Sequence, residues 1–225
     1  MTSEHWKKAY RSFYYEHAPD PDDLVLEASR TALLVIDIQN AYMQVPSESQ
    51  EAARWQPFLE RMHRIVIPNT QRLIAECRAH SVEVLFARIA CQTMDGRDRS
   101  LSQRKPGFNN LLLPKNEWAS QFIDALAPGQ DEIVVQKTTD SALTGTNLRL
   151  ILHNLGIEHV ICAGIFTDQC VSSTVRSLAD ESFDVVVVHD ACAAATDALH
   201  EHELTVINRI YCQVANTEEV LSFIR

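Results

Sequence analysis

His159-Val160-Ile161-Cys162-Ala163 leads directly into Gly164-Ile165-Phe166-Thr167-Asp168-Gln169-Cys170-Val171, and that into a further stretch from Ser172 to Ala179. The first piece is a short apolar run without alternation, which suits a strand buried on both faces of a parallel sheet. The last reads as a helix. A strand that feeds a helix is the repeating step of α/β architecture. The turn between them carries a cysteine at the helix mouth, where free N–H groups and the positive dipole end favour thiolate over thiol. A buried structural role is the commoner fate of a free cysteine. The function of Cys170 therefore depends on what else reaches it.

The same alternation runs through the rest of the chain. Apolar runs at 31–36, 82–87, 132–136, 183–188 and 211–215 read as further strands. Between about 55 and 79, Phe58, Met62, Ile65, Leu73, Ile74 and Cys77 recur at helical spacing, with Pro68 placed to kink or divide the helix. Further helices are predicted over 118–126, over 146–155 with Gly156 as C-cap, over 197–210 with Leu199, Leu204 and Ile207 inward, and over 217–225. Residues 40–54 and 91–115 read as loops, the second long enough to suggest a substrate lid or a solvated surface. The pattern predicts an α/β fold, a three-layer αβα sandwich around a mainly parallel six-stranded sheet of Rossmann-like type, in a single domain over 1–225. Residues 1–29 form an N-terminal arm rich in aromatics (Trp6, Tyr10, Phe13, Tyr14, Tyr15), expected to lie on the body or on a neighbouring subunit.

Composition narrows the function classes. The 225-residue chain has 46% hydrophobic residues and a formal net charge of -10, so nucleic acid and anionic membrane surfaces are poor partners. No apolar run approaches transmembrane length, and the N-terminus lacks a signal-peptide core, so the expected location is the cytoplasm. The six cysteines form no C-x-x-C pair and no zinc spacing with histidine. Cys77, Cys162 and Cys212 sit in apolar periodic segments and read as core, while Cys91 and Cys192 follow strands. No G-x-G-x-x-G follows the first strand and there is no P-loop, which disfavours a nucleotide site.

In a parallel sheet, ligands bind outside the carboxyl ends of the strands. Asp37 follows the first strand, Lys137 the third and Cys170 the fourth. Each alone could be a cap, a surface charge or a core residue. Together, at equivalent ends of neighbouring strands, they form a reactive set: a lysine would lower the thiol pKa, and a carboxylate could take its proton.

These residues lie in motifs that resemble the isochorismatase-like cysteine hydrolase superfamily, which includes nicotinamidases, N-carbamoylsarcosine amidases, and biuret and ureidoacrylate hydrolases. The matching pieces are Leu33-Leu34-Val35-Ile36-Asp37-Ile38-Gln39-Asn40, Lys137 with Ser141-Ala142-Leu143-Thr144-Gly145-Thr146-Asn147-Leu148, the stretch from Gly164 to Val171, and Val188-His189-Asp190-Ala191. The resemblance implies an Asp37–Lys137–Cys170 triad in which Cys170 attacks a carbonyl, Asp37 moves the proton and Lys137 holds both. It also implies a cis peptide before Phe166 and an oxyanion hole from the N–H groups of Phe166 and Cys170. The reaction implied is cleavage of a C–N bond in a small amide or ureide through an acyl-thioester, with no cofactor, in a homo-oligomer.

Departures from the family pattern matter too. Metal-binding nicotinamidases carry histidines after the first two strands, whereas Phe86 to Asp95 contains none, so no metal is expected. Position 166, often small in the family, is Phe, and Leu143 replaces the usual aromatic. Asn40, Tyr42, Arg88, Gln92 and Gln213 are the substrate-contact candidates, Arg88 because a guanidinium suits a carboxylate or a urea-type carbonyl. Two other readings stay open: vinyl-ether hydrolysis with Asp37 as acid, and a non-catalytic binding or redox-sensing protein.

Overall fold

The computed structural model describes residues 5–225. A short helix, α1 (His5–Lys8), precedes β1 (Thr31–Ile36). Then come α2 (Ser49–Arg61), a π turn over Met62–Val66, α3 (Ile67–Ala79) and β2 (Glu83–Ile89). A long segment with only two 3-10 turns leads to β3 (Ile133–Lys137), followed by α4 (Leu148–Asn154) and β4 (His159–Ile165). A second π turn, Thr167–Val171, opens into α5 (Ser172–Asp180), then β5 (Asp184–Ala193), α6 (Asp197–Ile207), β6 (Gln213–Ala215) and α7 (Thr217–Phe223).

The strands form one sheet in the order β3-β2-β1-β4-β5-β6, and every neighbouring pair is parallel. Successive strand residues point to opposite faces, so the unbroken apolar runs feed two cores. Leu33, Val35, Phe86 and Ile161 pack with Met62, Leu73 and Val220 on one face. Leu34, Leu85, Val160 and Val187 pack with Leu152, Val175 and Leu204 on the other. The α/β three-layer architecture expected from the pattern is the one found.

Strand order runs outward from β1 to β3 on one side and from β4 to β6 on the other. The β1–β4 boundary is thus the topological switch point, where open α/β sheets bind their ligands. Gly164 makes that boundary tight. It pairs with Ile36 at φ +134°, and a Cβ there would sit 2.0 Å from the Ile36 carbonyl oxygen. No side chain fits that gap. Asp37 itself has φ +55°, a left-handed conformation that aspartate tolerates better than most residues. It turns the chain out of β1 at the mouth of the switch point.

Several expectations are corrected. Residues 49–54 are helical rather than loop, because the solvent-facing polar start of α2 hides its periodicity. Ile65, expected inward, is 40% exposed, because the π turn adds a residue to the turn and rotates the apolar stripe. Leu199 is 45% exposed, and His200 takes the inward slot with Leu204 and Ile207. The helix predicted over 118–126 is two 3-10 turns, Trp118–Ser120 and Asp124–Leu126. Between them Phe122 bridges to Gln39, and the Asn40 N–H donates to the Gln121 carbonyl at 2.9 Å. Pairing with the segment after β1 has overridden local propensity. The aromatic arm lies on its own chain: Trp6 is buried edge-on against Phe223, and Tyr10 packs on His189. Phe13 and Tyr14 stand exposed.

Candidate active site

Asp37 and Lys137 form an ion pair at 2.7 Å, with side chains 1% and 0% exposed. They are not on adjacent strands, as expected from their equivalent positions: β2 lies between β1 and β3. Lys137 pairs in register with Ile89 of β2, and the Ile89 N–H donates to Asp37 Oδ1 at 2.7 Å. The lysine stem spans the width of a strand to reach the carboxylate. Its Nζ also donates to the Thr139 carbonyl at 3.2 Å. Gln39 fixes the same region, with Oε1 accepting from Ile89 N–H and Nε2 donating to the Ile89 and Ser120 carbonyls.

Cys170 reaches this pair from β4. Its thiol donates to Asp140 Oδ1 at 3.8 Å and lies close enough to Asp37 and Lys137 for both to act on its titration. Burial pushes the thiol well above its ordinary value, Asp37 adds to the rise, and Lys137 opposes it. That corrects the expected lowering by lysine and helix mouth: desolvation and neighbouring carboxylate charge outweigh the ammonium. The resting group is a thiol. Burial pulls Lys137 down, but attraction from the Asp37 carboxylate more than reverses this and holds it charged. Burial pushes Asp37 up against the pull of Lys137. The cluster therefore holds a proton donor and an acceptor together, away from water.

The π turn carrying Cys170 has a specific hydrogen-bond register. The Phe166 carbonyl accepts from the N–H groups of Gln169 at 2.9 Å and Val171 at 3.2 Å, passing over that of Cys170. The Ile165–Phe166 peptide is cis. At the start of the turn, Thr167 Oγ1 is 2.8 Å from His200 Nδ1, and Arg61 Nη2 is 2.9 Å from His200 Nε2. Burial pushes His200 down to about 3, so the ring is neutral. Arginine only donates, so Nε2 accepts and Nδ1–H donates to Thr167. Arg61, His200, Thr167 and Asp140 were missed in the sequence because nothing local marks them.

The substrate-contact candidates divide. Tyr42 comes to the site: its ring meets Phe166 edge-on, 5.4 Å between centroids, and its hydroxyl pKa is raised by burial and by the charge of Asp37. Asn40 is nearly buried and donates to the Trp118 carbonyl at 3.0 Å, a structural tie at the mouth. Arg88 lies within β2 and donates to Gln121 Oε1 at 2.5 Å, while its Nε is buried without a partner. Gln92 belongs elsewhere, bound by Lys115 on the exposed loop. Gln213 begins β6 at the opposite end of the sheet, because strand starts and strand ends lie on opposite edges of a parallel sheet. Asp190, from the fourth motif, accepts from the Thr217 N–H and hydroxyl at 2.8 Å and so anchors α7.

Beside the cluster lies a cavity of about 330 Å³, walled by Tyr42, Trp55, Phe58, Leu59 and Phe166. Asn109, from the long loop, reaches its rim. Among the described residues no cluster of histidine, cysteine, aspartate and glutamate could hold a metal, and no helix is long and apolar enough to cross a membrane.

Comparison with known proteins gives the family and the fold. The isochorismatase domain model matches residues 31–219. The ureidoacrylate amidohydrolase of Pantoea ananatis is 30% identical over 187 residues, covering 77% of this chain and 73% of the relative. That of Acinetobacter baylyi is 24% identical, covering 90% and 87%. Among solved structures, an isochorismatase family protein of Burkholderia thailandensis superposes with a TM-score of 0.73 at 27% identity, covering 90% of this chain and 98% of that one. The N-carbamoylsarcosine amidase of Thermoplasma acidophilum shares the fold, with a TM-score of 0.65 at 24% identity, covering 84% and 98%. With the isochorismatase domain matched over residues 31–219, the chain belongs to the isochorismatase family of hydrolases.

Proposed function

We propose that the protein cleaves the C–N bond of a small amide or ureide through a thioester on Cys170. The observation that carries this reading is the buried Asp37–Lys137 pair at 2.7 Å with the buried Cys170 thiol beside it at the switch point. The thiol adds to the substrate carbonyl as its proton passes to Asp37. The tetrahedral species collapses, the proton moves from Asp37 to the departing nitrogen, and ammonia or an amine leaves. Asp37 then takes a proton from water, which attacks the thioester and releases the acid, and the thiol regains its proton. Lys137 keeps the charges paired throughout. Dividing one displacement into two lowers each barrier.

The N–H groups of Phe166 and Cys170 are the oxyanion donors in this reading. Support comes from the turn's register, in which the Phe166 carbonyl passes over the Cys170 N–H. Oriented donors of this kind stabilise the charge that develops on the carbonyl oxygen. The amidohydrolase name of the Pantoea ananatis relative agrees with the chemistry.

A second reading has one observation in its favour. Burial pushes Asp37 up, the direction an acid catalyst of vinyl-ether hydrolysis needs. A panel of primary amides, ureides and vinyl ethers separates the two. Ammonia release by the unmodified enzyme that is abolished in Cys170→Ala supports the thioester path. Vinyl-ether turnover that survives Cys170→Ala replaces it with acid catalysis.

A further inference from the structure

The cavity beside the cluster is shaped for a particular kind of substrate. Its four aromatic residues come from three parts of the chain, Tyr42 after β1, Trp55 and Phe58 on α2 and Phe166 after β4, and the first three meet at Phe166. The Phe166 ring centroid lies 5.2 Å from Phe58, 5.4 Å from Tyr42 and 6.2 Å from Trp55. The polar members of its lining, Gln44, Asn109 and Gln169, are uncharged. A volume of about 330 Å³ is at the lower end of the roughly 300–1,000 Å³ typical of small-molecule pockets. It is more than a carbamoyl group requires.

The cavity adjoins the reacting centre. Gln169 and Phe166, which belong to its wall, are the residue before Cys170 and the residue that opens the π turn carrying it. Tyr42, also in the wall, has its hydroxyl pKa raised by burial and by the charge of Asp37. Asp37, Lys137 and Cys170 are themselves 1, 1 and 5% exposed, so the room lies on the aromatic side. A bulky group retained on the cysteine therefore has room only toward this wall, and the buried ionic cluster has room for no more than a small leaving group such as ammonia.

We infer that the substrate is a primary amide whose acyl portion carries an uncharged, bulky apolar group, aromatic or branched aliphatic, seated against the wall formed by Tyr42, Trp55, Phe58 and Phe166, with ammonia as the leaving group. This rests on the thioester reading above for its chemistry, and on the cavity alone for its recognition. A cationic group is the competing occupant, since aromatic faces attract cations. The lining has no carboxylate to neutralise one, and the rings pack against Phe166 rather than standing as separate faces around an open centre.

The test is calorimetric titration of the Cys170→Ala protein with three ligands. Tert-butylacetamide and betaine amide have nearly the same shape but differ in charge, and acetylurea is small and polar. Tert-butylacetamide should bind about tenfold or more tighter than either of the others. Trp55→Ala in the same background should remove most of that preference. Equal or tighter binding of betaine amide or acetylurea overturns the inference. The ligand comparison leaves the wall unaltered, so it decides even where a Trp55 variant fails to fold. Ammonia release from acetylurea by the unmodified enzyme, with no binding of tert-butylacetamide, sinks the apolar acyl group and leaves the thioester chemistry intact. Selective binding of tert-butylacetamide, with no ammonia from any amide, supports the apolar site and sinks the chemistry.

Discussion

The ionic cluster and the aromatic cavity touch at one turn, yet they are built on opposite plans. Asp37 and Lys137 stand just after and at the carboxyl ends of β1 and β3, and Cys170 in the π turn that follows β4. All three side chains are buried, and the carboxylate and the ammonium are paired. The cavity wall comes from a 3-10 turn, a helix and the residue between β4 and the π turn, held by ring packing. One region has little freedom to change without losing the chemistry. The other can exchange one apolar side chain for another with modest effect on the frame. Chemistry and specificity are thus separable at adjacent residues, with Phe166 in both.

If that division is right, perturbations of the two regions should differ in kind. The largest effect belongs to Cys170→Ala, where ammonia release should fall about ten-thousandfold or more while substrate affinity persists. Lys137→Met comes next. It strands the Asp37 carboxylate in the interior and should cost about 3–5 kcal/mol of stability in urea titration. Adding Asp37→Asn should restore much of that loss. An unchanged denaturation midpoint in the single variant would mean the pair is not a buried ion pair. Trp55→Ala should raise KM about tenfold for bulky apolar amides and leave kcat nearly unchanged. A fall in kcat of the same size would join the cavity to the chemistry and break the comparison.

The thiol gives a pH signature. Burial and Asp37 hold the Cys170 pKa above its ordinary value despite Lys137, and alkylation follows the thiolate fraction. Iodoacetamide labelling at Cys170, followed by peptide mass mapping, should still be accelerating where an ordinary thiol of pKa about 8.5 has levelled off. A plateau below pH 8 would reverse the assignment. The smallest effect is expected at the far edge of the sheet. Gln213→Ala should leave kcat/KM within about twofold, since that side chain starts β6, away from the strand ends that carry the cluster.

The ionic cluster was legible because strand-end residues announce themselves: an apolar run stops and a charged or nucleophilic residue follows. All six strands showed as apolar runs, and the three motifs lay in order. Strand order was not legible, so the span of Lys137 across β2 could not be foreseen. The cavity was hidden for another reason. Phe58 reads as an ordinary core residue and Trp55 as the start of a helix, and nothing in either stretch points to Phe166. Tyr42 was chosen only by its nearness to a strand end. Gln92 and Gln213 show the limit of that rule: one had a lysine partner 23 residues on, and the other sat at a strand's beginning. The π turns were equally invisible, because one extra residue per turn leaves no mark in composition.

The central claim is covalent chemistry at Cys170, and intact mass reads it directly. The unmodified protein, mixed rapidly with an amide that it hydrolyses and quenched in acid, should gain the mass of the acyl group. Peptide mapping should place that mass on Cys170, and Cys170→Ala should gain none and release no ammonia. Full ammonia release by Cys170→Ala, or an adduct on another residue, would contradict it.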